Sequence, residues 1–334
     1  MIVELTENYQ PIKIPHRDTQ IKAIKEVFEN FKQTGMASNL LILGVSGSGK
    51  TTTINKIIQE ENKNFFGTAS ITNTAFKTFR AMFDLNCKTT ERLISDIINK
   101  LKKEPKILII DEVNKITDFL NFFNLLNTIY RETGCPIIII TNKRTIHEDI
   151  PEDARLTLFF ERVEFPSYNA LELYDILKER VELIKDKIPK IPESSLRKIC
   201  AIGGKDSSAR IVLSLTLRCI LANDFSEKYI DKKNNDLRRE DWREFSLGLK
   251  PSEKEFLKSI LDLQTIQKEI TPTDISKNMK DFTPSRISQL ISSFENYGII
   301  ESKYKNTGRA GGRKRVIKFA SPEIFENLSE IVGY

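Results

Sequence analysis

Eight consecutive residues, Gly44-Val45-Ser46-Gly47-Ser48-Gly49-Lys50-Thr51, have the composition and spacing of a phosphate cradle. Their glycines let backbone N–H groups come close to phosphate oxygens. Lys50 sets a point charge against the β and γ oxygens, and Thr51 offers its hydroxyl to Mg²⁺. Ser46, Ser48 and Thr52 add polar groups to the same turn. A second candidate group is Asp111-Glu112, which ends the apolar run Ile107-Leu108-Ile109-Ile110. Beside a phosphate cradle, Asp111 is placed to hold Mg²⁺ through water and Glu112 to polarise the attacking water; alone, the pair would read equally well as acids solvating a strand end. A third is Asn142, after the run Pro136 to Ile140 and Thr141, whose amide would orient the same water or read the γ-phosphate. The chemistry implied is binding of ATP and ADP with Mg²⁺, and hydrolysis.

Such groups must be held at strand tips and a helix start. The run Leu40 to Leu43 ahead of the cradle is a strand, and a helical pattern begins within the cradle itself. Both later runs are short, apolar and rich in β-branched residues, as strands buried on two faces are. Up to about Phe165 strands and helices alternate, which predicts an α/β base with a parallel sheet over residues 1–165. From Pro166 the pattern is helical only. Leu171, Tyr174, Leu177, Val181 and Ile184 mark a helix from Ser167, a second covers Glu193 to Ala201, and a third runs from Ser207 to Leu221 after a break at Gly203-Gly204. The charged stretch Glu227 to Arg243 then leads to a boundary near Lys250-Pro251, giving a helical lid over 166–249 and a third domain over 250–334.

That third block begins with a helix from Glu253 to Leu263. Thr271-Pro272 and Thr283-Pro284 each supply a capping hydroxyl followed by proline at the first helical position. The helix after Thr283 buries Ile287, Leu290, Ile291 and Phe294 and ends at Gly298. Its other face carries Ser285, Gln289, Ser292 and Asn296, with Arg286 at the flank: small polar groups suited to entering a groove. Two β-type runs follow, Ile299-Ile300 and Val316 to Phe319. Between Glu301 and Lys318 lie Lys303, Lys305, Arg309, Arg313, Lys314, Arg315 and Lys318, with Gly308, Gly311 and Gly312 among them. A basic-tipped hairpin after two such helices predicts a winged helix-turn-helix that binds duplex DNA.

The remaining composition excludes more than it assigns. The chain has 334 residues, enough for two or three domains, and a formal net charge of +6. No apolar run approaches the ~18–20 residues of a membrane span. The opening MIVELTENYQ lacks the order of a signal peptide, so a cytoplasmic, nucleoid-associated location is expected. Cys87, Cys135, Cys200 and Cys219 are scattered, and only His16 and His147 are present, so neither a zinc site nor a histidine triad is indicated.

Taken together these pieces resemble the archaeal origin-recognition initiators, AAA+ ATPases related to the eukaryotic origin recognition complex and its helicase-loading partner. The resemblance spans nearly the whole chain. It rests on the Pro15-His16-Arg17-Asp18 entry, the phosphate loop and Ile110-Asp111-Glu112-Val113. It continues in the lid entry Phe165-Pro166-Ser167-Tyr168-Asn169-Ala170, the Ala209-Arg210 pair, and the wing with Gly308-Arg309-Ala310-Gly311-Gly312-Arg313. It implies that His16 and Arg17 belong to the nucleotide site, that Tyr168 and Arg180 flank the nucleotide, and that Arg210 senses the γ-phosphate. Without it, Arg180 and Arg210 would read as helix-surface arginines. Arg155 matches the family's subunit-facing arginine, but the apolar run Leu156 to Phe160 departs from the family pattern and puts a trans-acting finger in doubt. Thr74 to Leu85 matches an inserted DNA-touching helix, where Lys77 and Arg80 flank Phe76, Phe79 and Phe83. For those aromatics, core packing and DNA contact both stand open. The implied function is an origin-binding replication initiator, with paralogous initiators and the replicative helicase as further partners. A winged-helix transcription regulator and a signalling ATPase are the competing readings.

Overall fold

The computed structural model describes residues 2–6, 9–61, 66–70, 74–143, 145–205, 207–267, 269–306 and 313–332. Arg309, with Gly308, Gly311 and Gly312, lies outside them, and the side chain of Arg313 is likewise not described. The chain divides into two compact units, Met1–Ile230 and Asp231–Tyr334.

The first unit is built on five parallel strands in the order β2-β3-β4-β1-β5. These are β1 (Asn39–Gly44), β2 (Phe66–Ser70), β3 (Ile107–Asp111), β4 (Ile137–Thr141) and β5 (Phe160–Phe165). Strands β1 and β4 are buried along their whole length, as their unbroken apolar runs require. Helix α1 (Asp18–Thr34) precedes β1 and α2 (Lys50–Glu60) follows it. Helices α3 (Ala75–Met82), α4 (Thr90–Lys103), α5 (Phe119–Thr133), α6 (Ile146–Asp149) and α7 (Glu152–Leu158) complete the wrapping. The switch in strand order falls between β1 and β3, on either side of β4, so the loops after β1 and β3 open on one crevice.

Three helices follow in the same unit: α8 (Ala170–Ile184), α9 (Glu193–Lys205) and α10 (Ala209–Ala222). The expected break at Gly203-Gly204 is absent. Helix α9 runs through both glycines because they are contact points: a Cβ on Gly203 would lie 2.2 Å from Val212 of α10, and one on Gly204 3.1 Å from Ala170 of α8. Missing side chains here let three helices pack closely, and that gain outweighs glycine's weak helical preference.

The second unit takes in most of α11 (Glu227–Gly248), so the units part well upstream of Lys250-Pro251. The reason is packing. Trp242 and Phe245 of this polar helix press on a core made by α12 (Pro251–Ile266), α13 (Pro272–Asn278) and α14 (Pro284–Asn296). Phe245 meets Phe294 edge-on at 6.4 Å. The hairpin of β6 (Ile300–Asn306) and β7 (Arg313–Phe319) is antiparallel as expected, and α15 (Pro322–Val332), with Leu328 buried, closes the unit.

Candidate functional site

A cavity of about 530 Å³ opens in the first unit where the loop after β1 faces the tips of β3 and β4 and the start of α10. Gly47 and Gly49 have φ of +76° and +89°, a region that favours glycine. Space excludes side chains there as well: a Cβ on Gly49 would come 2.9 Å from the Tyr168 hydroxyl, and one on Gly47 2.7 Å from Ser208 Oγ. Ser208 caps α10 and Arg210 lies in its first turn on the cavity wall. The first N–H groups of α10 thus abut the phosphate loop, an arrangement that favours an anion.

Lys50 is buried, and its Nζ donates to the carbonyls of Gly44 (2.7 Å) and Val45 (2.8 Å). Burial lowers its pKa, opposed by Asp111 and Glu112 nearby. Thr51 donates to Asp111 Oδ2 at 2.7 Å, while Asp111 Oδ1 accepts from the Glu112 N–H at 2.7 Å. Burial raises the Asp111 pKa; those two hydrogen bonds oppose it. Glu112 sits in the left-handed region at φ +57° and pairs with Lys115. Asn142 is exposed on the same wall. Asn114, which sequence reasoning missed, accepts from Thr141 Oγ1 at 3.3 Å beside it. Its place three residues beyond Asp111, in the turn after β3, was the available signal.

Among the described residues no group of three or more His, Cys, Asp or Glu could hold a metal by itself. The donor set present, one hydroxyl and one carboxylate at a phosphate loop, fits Mg²⁺ completed by phosphate oxygens and water. Thr51 and Asp111 would hold it, and when bound it would offset the charge of the β and γ oxygens.

Four expected ligands stand behind the cavity wall. Ser48 is buried and donates to Val45 O at 2.8 Å, and Gly44 is pinned by β5, since a Cβ there would meet Phe165 O at 2.6 Å. His16 Nε2 lies 3.0 Å from Asp175 of α8. Arg17 is 1% exposed and donates to the carbonyls of Ser48 (3.0 Å), His16 (2.7 Å) and Pro166 (2.7 Å). Its guanidinium also stacks 3.7 Å over the Tyr168 ring. Arg17 therefore ties the phosphate loop to the entry of α8 instead of lining the cavity, and burial lowers its pKa. Burial also pushes Tyr168 up to about 12, so its hydroxyl stays protonated and can donate. Ser46, Thr52, Tyr168 and Arg180 do line the cavity. Arg180 is engaged there by the N-terminal segment, 4.4 Å over the Tyr9 ring and 3.4 Å from Glu4 O. Gln10 of that segment donates to Thr52 O at 2.8 Å. No periodicity marks Tyr9 or Gln10, so pattern reading passes over them.

At α3 the aromatics pack toward the core. Phe79 is fully buried, and Phe76 and Phe83 pack on the same core, leaving Lys77 and Arg80 exposed.

In the second unit, Ser285, Arg286, Gln289 and Ser292 are exposed on α14 while Ile287, Leu290, Ile291 and Phe294 are buried, as the spacing predicts. Arg286 donates to Gln289 Oε1 (3.3 Å) and to Ser252 Oγ (3.0 Å). The wing is less free than its sequence implies. Arg315, expected on DNA, pairs with Glu295; Lys305 pairs with Glu269 and Lys318 with Glu301. Lys303 and Lys314 are exposed.

Fold and cavity together define a AAA+ ATPase, and an AAA domain family model matches residues 33–147. The chain is 24% identical to an ORC1-type DNA replication protein of Thermoplasma volcanium over 92% of its own length and 85% of that protein's. It is 26% identical to ORC1-type DNA replication protein 1 of Sulfurisphaera tokodaii over 93% and 88%. Its fold is that of the Aeropyrum pernix ORC1 protein solved in complex with DNA, with a TM-score of 0.76 at 20% identity, covering 98% of this chain and 96% of that one. Cdc6p from Pyrobaculum aerophilum gives 0.60 at 16% identity over 99% and 98%. Over nearly its whole length the chain is thus similar to archaeal ORC1-type DNA replication proteins, in line with the resemblance of its motifs.

Proposed function

We propose that this protein is an ATP-dependent replication initiator that binds origin duplex DNA and changes shape with its nucleotide state. The observation that carries the reading is that one chain holds both a phosphate cavity, with the Thr51–Asp111 pair at its mouth, and a winged-helix unit. In that unit α14 presents an exposed polar face. The named relatives are DNA replication proteins, which favours this reading over a transcription regulator or a signalling ATPase. Paralogous initiators and the replicative helicase are the further partners it implies.

The cavity residues divide the work. Lys50 and the loop N–H groups bind phosphate in the ground state, and Glu112 draws a proton from the attacking water. Hydrolysis is slow because Glu112 is held by Lys115, and Arg155 on α7 is followed by an apolar run instead of the family's polar one. Arg210 responds to the γ-phosphate from the lid, residues 166–249, against the base, residues 1–165. A ligand shifts such an equilibrium only by its differential contact, and a γ-phosphate–guanidinium contact is one that ADP lacks. In limited proteolysis near Phe165, ATP and ADP should give different patterns, and Arg210→Ala should erase the difference; a mutant that still discriminates would remove Arg210 from the switch.

Mapping the protein along its own genome tests the function as a whole. Occupancy concentrated at replication start sites supports an initiator, occupancy at promoters supports a regulator, and no DNA occupancy returns the signalling reading.

A further inference from the structure

Arg315 is the most constrained cation of the wing. In β7 it shares a face with Ile317 and Phe319, the side turned to the core, whereas Lys314 and Lys318 alternate to the opposite side. Its Nη2 donates to both carboxylate oxygens of Glu295, at 3.0 and 2.9 Å, and its Nε donates to Ser302 Oγ on β6 at 2.9 Å. Glu295 lies in the last turn of α14, and both side chains are half-buried, 22% and 29% exposed. An exposed pair of this kind would contribute little. This one is partly withdrawn from water, is shared between two oxygens, and has a third bond from the same planar group, which fixes its direction.

We infer that Arg315 is a strut, a positioning residue that sets the wing against α14 so that Lys303 and Lys314 stand at a fixed offset from Ser285 and Gln289. It makes no phosphate contact of its own. The inference rests on the DNA-binding reading of this unit. Its physical basis is preorganisation: two elements that contact one duplex bind more tightly when their spacing is fixed before encounter. Arg315 is suited to this because its guanidinium spans from β7 to both β6 and α14 at once. A lysine would keep the charge and lose the fork.

The full-length protein, titrated with a short mixed-sequence duplex at several salt concentrations, tests the strut. Glu295→Gln is the discriminating variant. If Arg315 is a strut, removing the carboxylate weakens duplex binding several-fold and leaves the salt slope unchanged. If instead Arg315 contacts phosphate, Glu295→Gln frees a cation and removes a nearby negative charge, so affinity rises. Arg315→Gln should match Glu295→Gln, again with the slope unchanged; a slope reduced by about 0.9 would make Arg315 a phosphate ligand and overturn the inference. The double exchange Glu295→Arg with Arg315→Glu should recover most of the lost affinity, and failure to recover in a variant with wild-type thermal unfolding also overturns it. Failure of the underlying reading looks different: the wild-type protein itself would show no salt-dependent duplex binding.

Discussion

The phosphate cavity and the wing both hold cations for anionic partners, but they fix those cations by opposite means. In the cavity, Lys50 is held by two carbonyls of its own loop, five and six residues away, and is desolvated by burial. In the wing, Arg315 and Lys305 are claimed by carboxylates 20 and 36 residues distant. A charge oriented by its own backbone can be read from a short motif. A charge neutralised from another element cannot, because the sequence gives the cation and hides its partner. The seeming excess of the wing is thus smaller than its composition, whereas the buried Lys50 of the cavity is worth more than one charge suggests, since a low-dielectric setting strengthens its pull on phosphate.

The largest expected effect lies in the cavity. Lys50→Ala should abolish tight ATP binding. Glu112→Gln should leave binding intact and lower turnover by roughly 10²–10⁴, the usual worth of a positioned base. Equilibrium nucleotide binding and single-turnover hydrolysis separate the two. Equal turnover in Glu112→Gln and the parent would take Glu112 out of the mechanism. It would also leave the Lys115 pair without a role in slowing it.

Next comes α3, where core packing and DNA contact are the competing readings of its aromatics. Phe79 packs 5.7 Å from Phe122, ring to ring, inside the core. Phe79→Ala should therefore cost about 3–5 kcal/mol in unfolding free energy, from lost burial plus the void left behind. Lys77→Ala and Arg80→Ala should leave stability within about 0.5 kcal/mol. Normal stability with weakened DNA binding in Phe79→Ala would instead make the ring a wedge.

The wing supplies the third test, smaller in size. Lys303 and Lys314 are exposed and, unlike Lys305, Arg315 and Lys318, take no part in the ion pairs described for the wing, so replacing both with alanine should reduce the salt slope of duplex binding by about 1.8, at ~0.9 per phosphate contact. An unchanged slope would shift the electrostatic footing to Arg309 and Arg313 or to α3. Gln289→Ala should weaken the cognate site selectively, because α14 offers few long side chains to base edges.

What the sequence discloses follows the same division. Strand tips, the phosphate loop and the buried stripe of α14 are local patterns, and each falls where its spacing puts it. Gly203-Gly204 misleads because a glycine pair signals a break locally, while its actual cause, the approach of α8 and α10, is tertiary. Helix α11 escapes notice because its sequence is dominated by charge and only Trp242 and Phe245 tie it to the second unit. Helix α15 was not expected from the sequence, although its signal was there: Ser321-Pro322 repeats the capping form of the two earlier helices, and Ile324, Phe325 and Leu328 follow at helical spacing. Arg17 shows the limit of reasoning by resemblance. Its place in the entry motif is right, yet its three carbonyl partners make it a tie between loop and lid, and none is visible in the sequence.

The smallest effect tests whether the second unit also has a carboxylate fixed by its own backbone, as the cavity fixes Lys50. At the start of α13, Thr271 donates its hydroxyl (2.6 Å) and its N–H (2.9 Å) to Asp274 Oδ2, and Thr271 Oγ1 accepts from Asp274 N at 3.3 Å. The Thr271 hydroxyl, more than any other group, holds the Asp274 carboxyl below its ordinary range. A carboxylate depressed in the folded state stabilises the fold above its unfolded pKa, and that contribution is lost as pH falls through the folded value. Thr271→Ala should cost about 1 kcal/mol at neutral pH, the usual worth of a cap. The gap between parent and Asp274→Asn should be full at neutral pH and shrink as pH drops below about 4, where the unfolded aspartate begins to protonate. Urea unfolding at a series of pH values measures it. A gap that stays constant to low pH would mean that Asp274 contributes through shape alone, and that the charged form of this cap adds nothing to the fold.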